Sequence, residues 1–182
     1  MTSKEPDVSG WKPDFLPANE QVARHAPALR DLRGGRIADA RIVWNLEHDE
    51  WFADLPVVLR FADRPQLEVC WEKLDDLSIT WGTIDLTRPP HAWVDWPLEW
   101  RPAAHSALAE ALGQRVRGVS VSSLVLTTND VERPSDVHSV WLTAGLWLAT
   151  DSGGLHIYNA LDENGLSGQR PAVDASHGLR PV

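Results

Sequence analysis

Between residues 66 and 72 the chain alternates without a break. Leu67, Val69 and Trp71 hold one phase, and Gln66, Glu68, Cys70 and Glu72 hold the other. A period of two puts successive side chains on opposite faces of an extended backbone, so this stretch reads as a half-buried β-strand and not as a helix. The pattern recurs at Ile42, Trp44 and Leu46, at Val57, Leu59 and Phe61, and at Leu77, Ile79 and Trp81, with Ile84 and Leu86 as an extension. Ala62-Asp-Arg-Pro-Gln66 supplies a hairpin turn between two of these runs. Val119, Val121 and Val125 fall in phase further on. Residues 137–150 form the longest strand candidate, with Val140, Leu142, Leu146 and Leu148 on one face and Trp141 and Trp147 on the other. Asp151-Ser-Gly-Gly154 then turns the chain back into Leu155 and Ile157.

Two helices interrupt the strands. Residues 19–33 carry a cap in Asn19 and an acid in the first turn at Glu20, and Gly34-Gly35 ends the run. Pro27 predicts a break there, with a second short helix restarting behind it. A second helix is expected over 103–112, with Leu108 and Leu112 packed and Gly113 as its terminator. The fold class is therefore α+β, mainly antiparallel sheet with two principal helices. Residues 19–167 form one domain between a loose lead-in over 1–18, tacked down by Trp11 and Phe15, and a tail over 168–182. TTNDVERPSD, residues 127–136, reads as a polar loop.

The order of elements repeats, over 19–86 and again over 103–166. Leu32-Arg-Gly-Gly-Arg36-Ile37 resembles Leu112-Gly-Gln-Arg115-Val116, and each later hairpin is followed by an acidic turn, Leu74-Asp75-Asp76 or Leu161-Asp162-Glu163. This predicts an internal duplication of an αβββ unit, with a natural cleft at the seam between the halves.

Composition narrows the function classes. An apolar share of 43% in 182 residues can build a real core. No apolar run reaches 18 residues, and the start MTSKEPDVSG has no apolar signal region, so neither a membrane span nor secretion is expected. The single cysteine, Cys70, rules out an internal disulfide framework and a cysteine-based zinc cluster, and the chain is placed in the cytoplasm. A formal net charge of -9 opposes binding to a nucleic-acid backbone and suits a basic partner.

No motif names a chemistry. His48-Asp49-Glu50 lacks a spaced second ligand and reads as an exposed loop. His138 and His156 lie on strands expected to pair, and could meet to hold a metal or sense pH. The acidic turns Asp75-Asp76 and Asp162-Glu163 lack calcium-loop spacing, and Asn164-Gly165 reads as a left-handed turn beside the second. The strand serines Ser120, Ser122 and Ser123 sit in no Gly-x-Ser-x-Gly elbow, and nothing beside Cys70 would activate its thiol.

Ten of the fourteen aromatic residues are tryptophan, which combines a large apolar face with one N–H donor. Trp71 and Trp81 share the apolar phase of their strands and are core candidates. Trp93, Trp96 and Trp100 lie among prolines in the joint between the halves, and Trp141 with Trp147 makes an exposed aromatic strip if that face is open and is buried if the sheet is covered on both faces.

The C-terminal stretch GLWLATDSGGLHIYNALDENGL, residues 145–166, resembles a hairpin of small acidic proteins from bacterial gene neighbourhoods, polymorphic-toxin immunity proteins among them. The resemblance implies a non-catalytic protein that binds and blocks a toxin domain. It transfers no residue roles.

The leading expectation is thus an immunity-type inhibitor of a basic protein partner, using Trp141, Trp147, Asp162 and Glu163, with no catalytic residue, metal or cofactor. The alternative is a sensor or carrier that holds a small apolar or aromatic ligand between the repeats, against Trp93, Trp96 and Trp100. A third reading is an enzyme with a divergent site around His138 and His156.

Overall fold

The computed structural model of the chain describes residues 8–92, 95–129 and 137–182. Residues 1–7 of the expected lead-in, Trp93, and residues 130–136 of the expected polar loop lie outside the described residues.

The fold is α+β and mainly antiparallel. In chain order the elements are β1 (Leu16–Pro17), α1 (Ala18–Asp31), β2 (Ile37–Asn45), β3 (Glu50–Trp51), β4 (Val57–Phe61), β5 (Leu67–Glu72), β6 (Asp76–Trp81), β7 (Leu98–Pro102), α2 (Ser106–Ala111), β8 (Val116–Asn129), β9 (Val137–Thr150), β10 (Gly154–Asn159), β11 (Asn164–Ser167) and β12 (His177–Pro181). One sheet runs β1-β6-β5-β4-β2-β3 with β7 also on β2, and the other runs β11-β10-β9-β8-β12.

The alternation seen in sequence is the inner face of both sheets. Ile42, Leu59, Val69, Trp71 and Ile79 of the first sheet share one buried cluster with Val121, Leu146, Leu148 and Ile157 of the second, and α1 and α2 add Val22, Leu29 and Leu108. The first sheet also has a covered outer face, where Val43, Phe52, Leu55, Val58, Ile84, Leu98 and Trp100 form a second cluster. This corrects the half-buried reading of β5. Its polar phase is buried too, at Glu68 and Cys70. The Glu68 carboxylate accepts from Gln66 Nε2 (2.8 Å), Thr83 N (2.7 Å), Thr83 Oγ1 (2.6 Å), Ile84 N (2.9 Å) and Thr80 Oγ1. A buried charge persists only with such donors around it.

The two halves meet at a reciprocal seam. Gly34 N donates to Val116 O (2.8 Å) and Gly113 N to Ile37 O (2.8 Å). Val116 N donates to Gly35 O (2.9 Å) and Ile37 N to Gln114 O (3.0 Å). Both first strands carry an irregularity just inside the seam, between Ile37 and Asp39 and between Val116 and Gly118. Gly34 (φ 85°) and Gly113 (φ 78°) both need the left-handed region that glycine reaches without strain. At the far end of the strands, Lys73 of the β5–β6 turn bridges Asp162 of the β10–β11 turn.

Three local expectations change. α1 runs unbroken through Pro27, because Pro27 and Ala23 both face solvent and water can serve the carbonyl that the proline leaves without a donor. Its cap position is Pro17 rather than Asn19, and Ala18 N donates instead to Asp75 O (2.8 Å). The expected tail contains β12, which pairs with β8 from Leu124 to Ser120, and Val182 N donates to Val119 O (3.1 Å).

Candidate functional site

The β5–β6 and β10–β11 turns are brought together by a buried asparagine. Asn164 accepts from Trp71 N (2.9 Å), and its amide donates to Ala53 O (2.7 Å) and Leu55 O (3.0 Å). Its own N–H donates to Ala53 O (3.1 Å). Asn159 Nδ2 adds a bond to Lys73 O (2.6 Å) across the gap. Asn164 and Gly165 are therefore strand residues of β11, not the expected left-handed turn. Glycine is needed at 165 because a Cβ there would lie 2.4 Å from the Tyr158 ring.

The left-handed residues lie just before them. Leu161 (φ 63°) and Asp162 (φ 76°) on one turn, and Lys73 (φ 52°) on the other, have positive φ without being glycine. L-residues are disfavoured there, so such strain persists only where the surroundings impose it, and it gathers at functional places. Leu161 is 81% exposed and Leu74 is 48% exposed. The same two turns carry Glu72, Asp75 and Asp76 on one side and Asp162 and Glu163 on the other, and the Lys73–Asp162 bridge joins them. The cation among them, Lys73, is paired with Asp76 at 3.5 Å. Burial holds the Asp75 carboxyl above its ordinary range, with the neighbouring Asp76 charge adding to the effect, while the Ala18 N–H opposes it. The face combines apolar contact with concentrated negative charge. It unites Asp162 and Glu163, both expected from sequence, with Asp75 and Asp76 of the other half.

The tryptophans do not join this face. Trp147 is 5% exposed, on the outer face of the second sheet, where its ring lies over Gly154. Trp141 is 54% exposed. The two do not form the expected strip, because the pairing steps from Ser122↔Gly145 to Ser123↔Thr143. That irregularity passes over Ala144 and reverses the phase of β9 between the two indoles. Beyond it Val137 and Val140 are exposed on an arm that pairs with neither β10 nor β12, and Trp141, though exposed, has its ring beside Gly178 of β12. Trp100 is buried in the outer cluster of the first sheet, and Trp96 packs edge-on against His48 at 4.7 Å. Neither lines either of two clefts found near the seam end of the strands, one formed by Ala28, Asp31, Leu32, Arg64, Pro65 and Trp81, the other by Arg36, Ile37, Ala38, Ala62, Leu112 and Gly113. Trp71 is fully buried, and Trp81 packs at the edge of the core.

His138 and His156 do not meet. His156 faces Trp147 across β9, whereas His138 faces Thr128. That separates them by roughly 30 Å at the ordinary rise of a strand. His156 Nε2 lies 2.8 Å from Ser122 Oγ, its ring stacks on Tyr158 at 4.9 Å, and burial pushes its pKa down to about 4. No carboxylate orients this pair among the described residues, the third part that an activated serine needs. The Cys70 thiol is buried, and desolvation raises its pKa to about 12. Asp49 accepts from Trp44 Nε1 (2.9 Å) and Arg101 Nη1 (3.3 Å), and Arg101 lies 4.3 Å over the Trp44 ring, so this loop residue clips β2 to β7. Among the described residues no group of three or more His, Cys, Asp or Glu side chains could hold a metal, and no helix is long and apolar enough to cross a membrane.

Sequence reasoning found both acidic turns but not their union. The signal was the repeated order of elements, which gives each half an acidic turn after its later hairpin. No family model, no curated protein and no solved structure matches the chain.

Proposed function

We propose that the chain is a cytoplasmic, non-catalytic binding protein of the immunity-inhibitor type, and that its paired-turn face docks a basic protein partner. The observation that carries this reading is Leu161, a strained and solvent-exposed apolar residue on one of two bridged turns that together carry five carboxylates. Exposed apolar anchors ringed by like charge suit a partner of opposite charge, with charge steering the encounter and apolar contact slowing release. Trp141, at the exposed arm, is a second anchor. The test is capture with tagged wild-type chain beside a D162K/E163K variant and a Leu161→Asp variant. The reading expects a partner with a basic surface that both variants lose. A partner retained by both variants overturns the assignment of the face, and recovery of no partner overturns the function.

We propose also that the fold arose by internal duplication. Support comes from the reciprocal seam, in which each bond has a counterpart 79 residues further along the chain. Superposing 29–81 on 108–167 should match the seam glycine, the first-strand irregularity and the meander together. A best superposition that shifts these features out of register contradicts it.

A further inference from the structure

We propose that the partner is held by strand addition: an extended segment with basic residues at its end pairs along the open edge of β9, over Val137–Thr143, and reaches the carboxylates of Asp162 and Glu163. Strand addition rests on the binding reading above and names the element of the partner that docks.

The backbone hydrogen bonds show which way the edge faces. Val125 N donates to Ser176 O, on the side of β8 away from β9. Trp141 stands opposite Val125 in the β8–β9 ladder. Opposed residues in an antiparallel pair exchange both bonds or neither, so Trp141 also turns its N–H and C=O away from β8. Ser139 and Val137 do the same at a period of two. A longer β10 would meet these groups, but its last partner on β9 is Gly145, opposite Tyr158. Among the described residues no strand takes its place. From Val137 to Thr143 the edge is about 20 Å long, at the ordinary rise of a strand.

Open edges invite pairing, and folds guard them with shortness, charge or proline. The other edge strands here are guarded in this way. β1 and β3 have two residues each, and β11 has four. β7 carries Glu99, Arg101 and Pro102, and β12 carries Arg180 and Pro181. β9 has 14 residues with no Asp, Glu, Lys, Arg or Pro among them. In a chain of net charge -9, so long and neutral an edge is the exception.

Its surroundings name the occupant. A row of backbone donors and acceptors is matched by an extended chain. Side chains of that chain alternate between the two faces of the arm, one carrying Val137 (57% exposed) and the other Val140 (53% exposed), which suits an apolar or β-branched middle. The Trp141 ring leans the other way, across β8 toward Gly178, and leaves the edge clear. The slot ends at the β10–β11 turn, which follows Tyr158 directly and exposes Asp162 and Glu163. Lysine or arginine at the end of the segment complements these carboxylates. A second copy of the chain is the poorer fit, because its own β9 brings no lysine or arginine to them.

The test titrates the isotope-labelled whole chain with an amidated synthetic peptide, Lys-Lys-Val-Thr-Val-Thr-Val-Lys-Lys, followed by NMR. In the free chain the amides of Val137, Ser139 and Trp141 should exchange with solvent faster than those of His138, Val140 and Leu142. Saturating peptide should slow the first three at least tenfold and leave the others unchanged. A peptide with glutamates in place of the lysines should bind at least tenfold more weakly, as should the lysine peptide to D162K/E163K. Ser139→Pro should bind neither peptide, since proline removes an outward N–H that β8 does not use. The exchange pattern is read on the unmodified chain, so it decides the matter even where the proline variant fails to fold. No saturable binding, equal binding of the acidic peptide, or protection without the alternation overturns the proposal. So does protection of Val137, Ser139 and Trp141 in the free chain, and its rise with chain concentration assigns the edge to a second copy. A captured partner that D162K/E163K loses and a folded Ser139→Pro retains overturns strand addition and leaves the acidic face standing. Edge protection by the peptide with no partner recovered supports the edge and overturns the function alone.

Discussion

Replacing Leu161 separates a residue kept for stability from one kept for contact. Its backbone has φ 63°, and its side chain is 81% exposed. Full burial of a leucine is worth about 1.5–3 kcal/mol, so truncating this one to alanine forfeits only about 0.3–0.6 kcal/mol. Alanine keeps the left-handed strain, which costs about 1–2 kcal/mol for an L-residue. Glycine removes that strain but widens the unfolded ensemble, which returns about 0.4–1 kcal/mol. Leu161→Gly should therefore be about 0–1.6 kcal/mol more stable than Leu161→Ala, and no less stable than wild type by more than about 0.6 kcal/mol. Urea denaturation followed by circular dichroism reads this directly. With a slope of about 2 kcal/mol/M, the glycine midpoint should lie up to about 0.8 M above that of alanine. Both variants should lose the captured partner. A glycine variant less stable than alanine would refute the claim that the turn is strained. A destabilisation of 2 kcal/mol or more in either would mean that Leu161 serves the fold.

Other expectations concern the core and its polar pins. His156 has its pKa depressed from 6.5 to about 4, so the unfolded chain takes up a proton in that interval and the folded chain does not. Stability from this group is full above pH 6.5 and declines by about 3 kcal/mol as pH falls to about 4. An NMR titration of the His156 ring should show its midpoint near 4, and His156→Gln should flatten this part of the pH–stability curve; a midpoint near 6.5 contradicts the burial argument. Asn164→Ala leaves Trp71 N–H and the Leu55 carbonyl without their side-chain partner, at a cost of about 2–4 kcal/mol. Hydrogen exchange in that variant should rise over 71–76 and 159–163 together, and a rise in one turn alone would show that Asn164 does not join them. Glu68→Ala strips buried donors of their acceptor and should cost about 3–5 kcal/mol in thermal or urea unfolding, with a loss below 1 kcal/mol counting against the clip.

The strands and both helices were legible because burial writes itself as a period of two or of 3.6, and the runs at 57–61, 67–72 and 137–150 show it plainly. Less legible was anything decided by a partner distant in sequence. The outer face of β5 reads as polar, yet the 82–86 stretch folds onto Glu68 and buries it. One irregularity near Ala144 put Trp141 and Trp147 on opposite faces, and no residue there announces it. β12 looked like a tail because its five residues carry little alternation. Asn164-Gly165 was misread because its local turn propensity is real, but the carbonyls of Ala53 and Leu55 compete for the asparagine and win. Of the candidate site, the acidic turns were visible one at a time. Their meeting required the seam at the other end of the strands, which positions two meanders over one core.

Zero-length carbodiimide coupling of the chain to its captured partner tests the central claim most directly, because it joins only carboxylates and amines already in salt-bridge contact. The account predicts couplings from Glu72, Asp75, Asp76, Asp162 and Glu163 to lysines of the partner, abolished by 1 M salt, which screens charge beyond about 3 Å. Couplings confined to carboxylates elsewhere on the chain, with the paired turns unmodified, would contradict it.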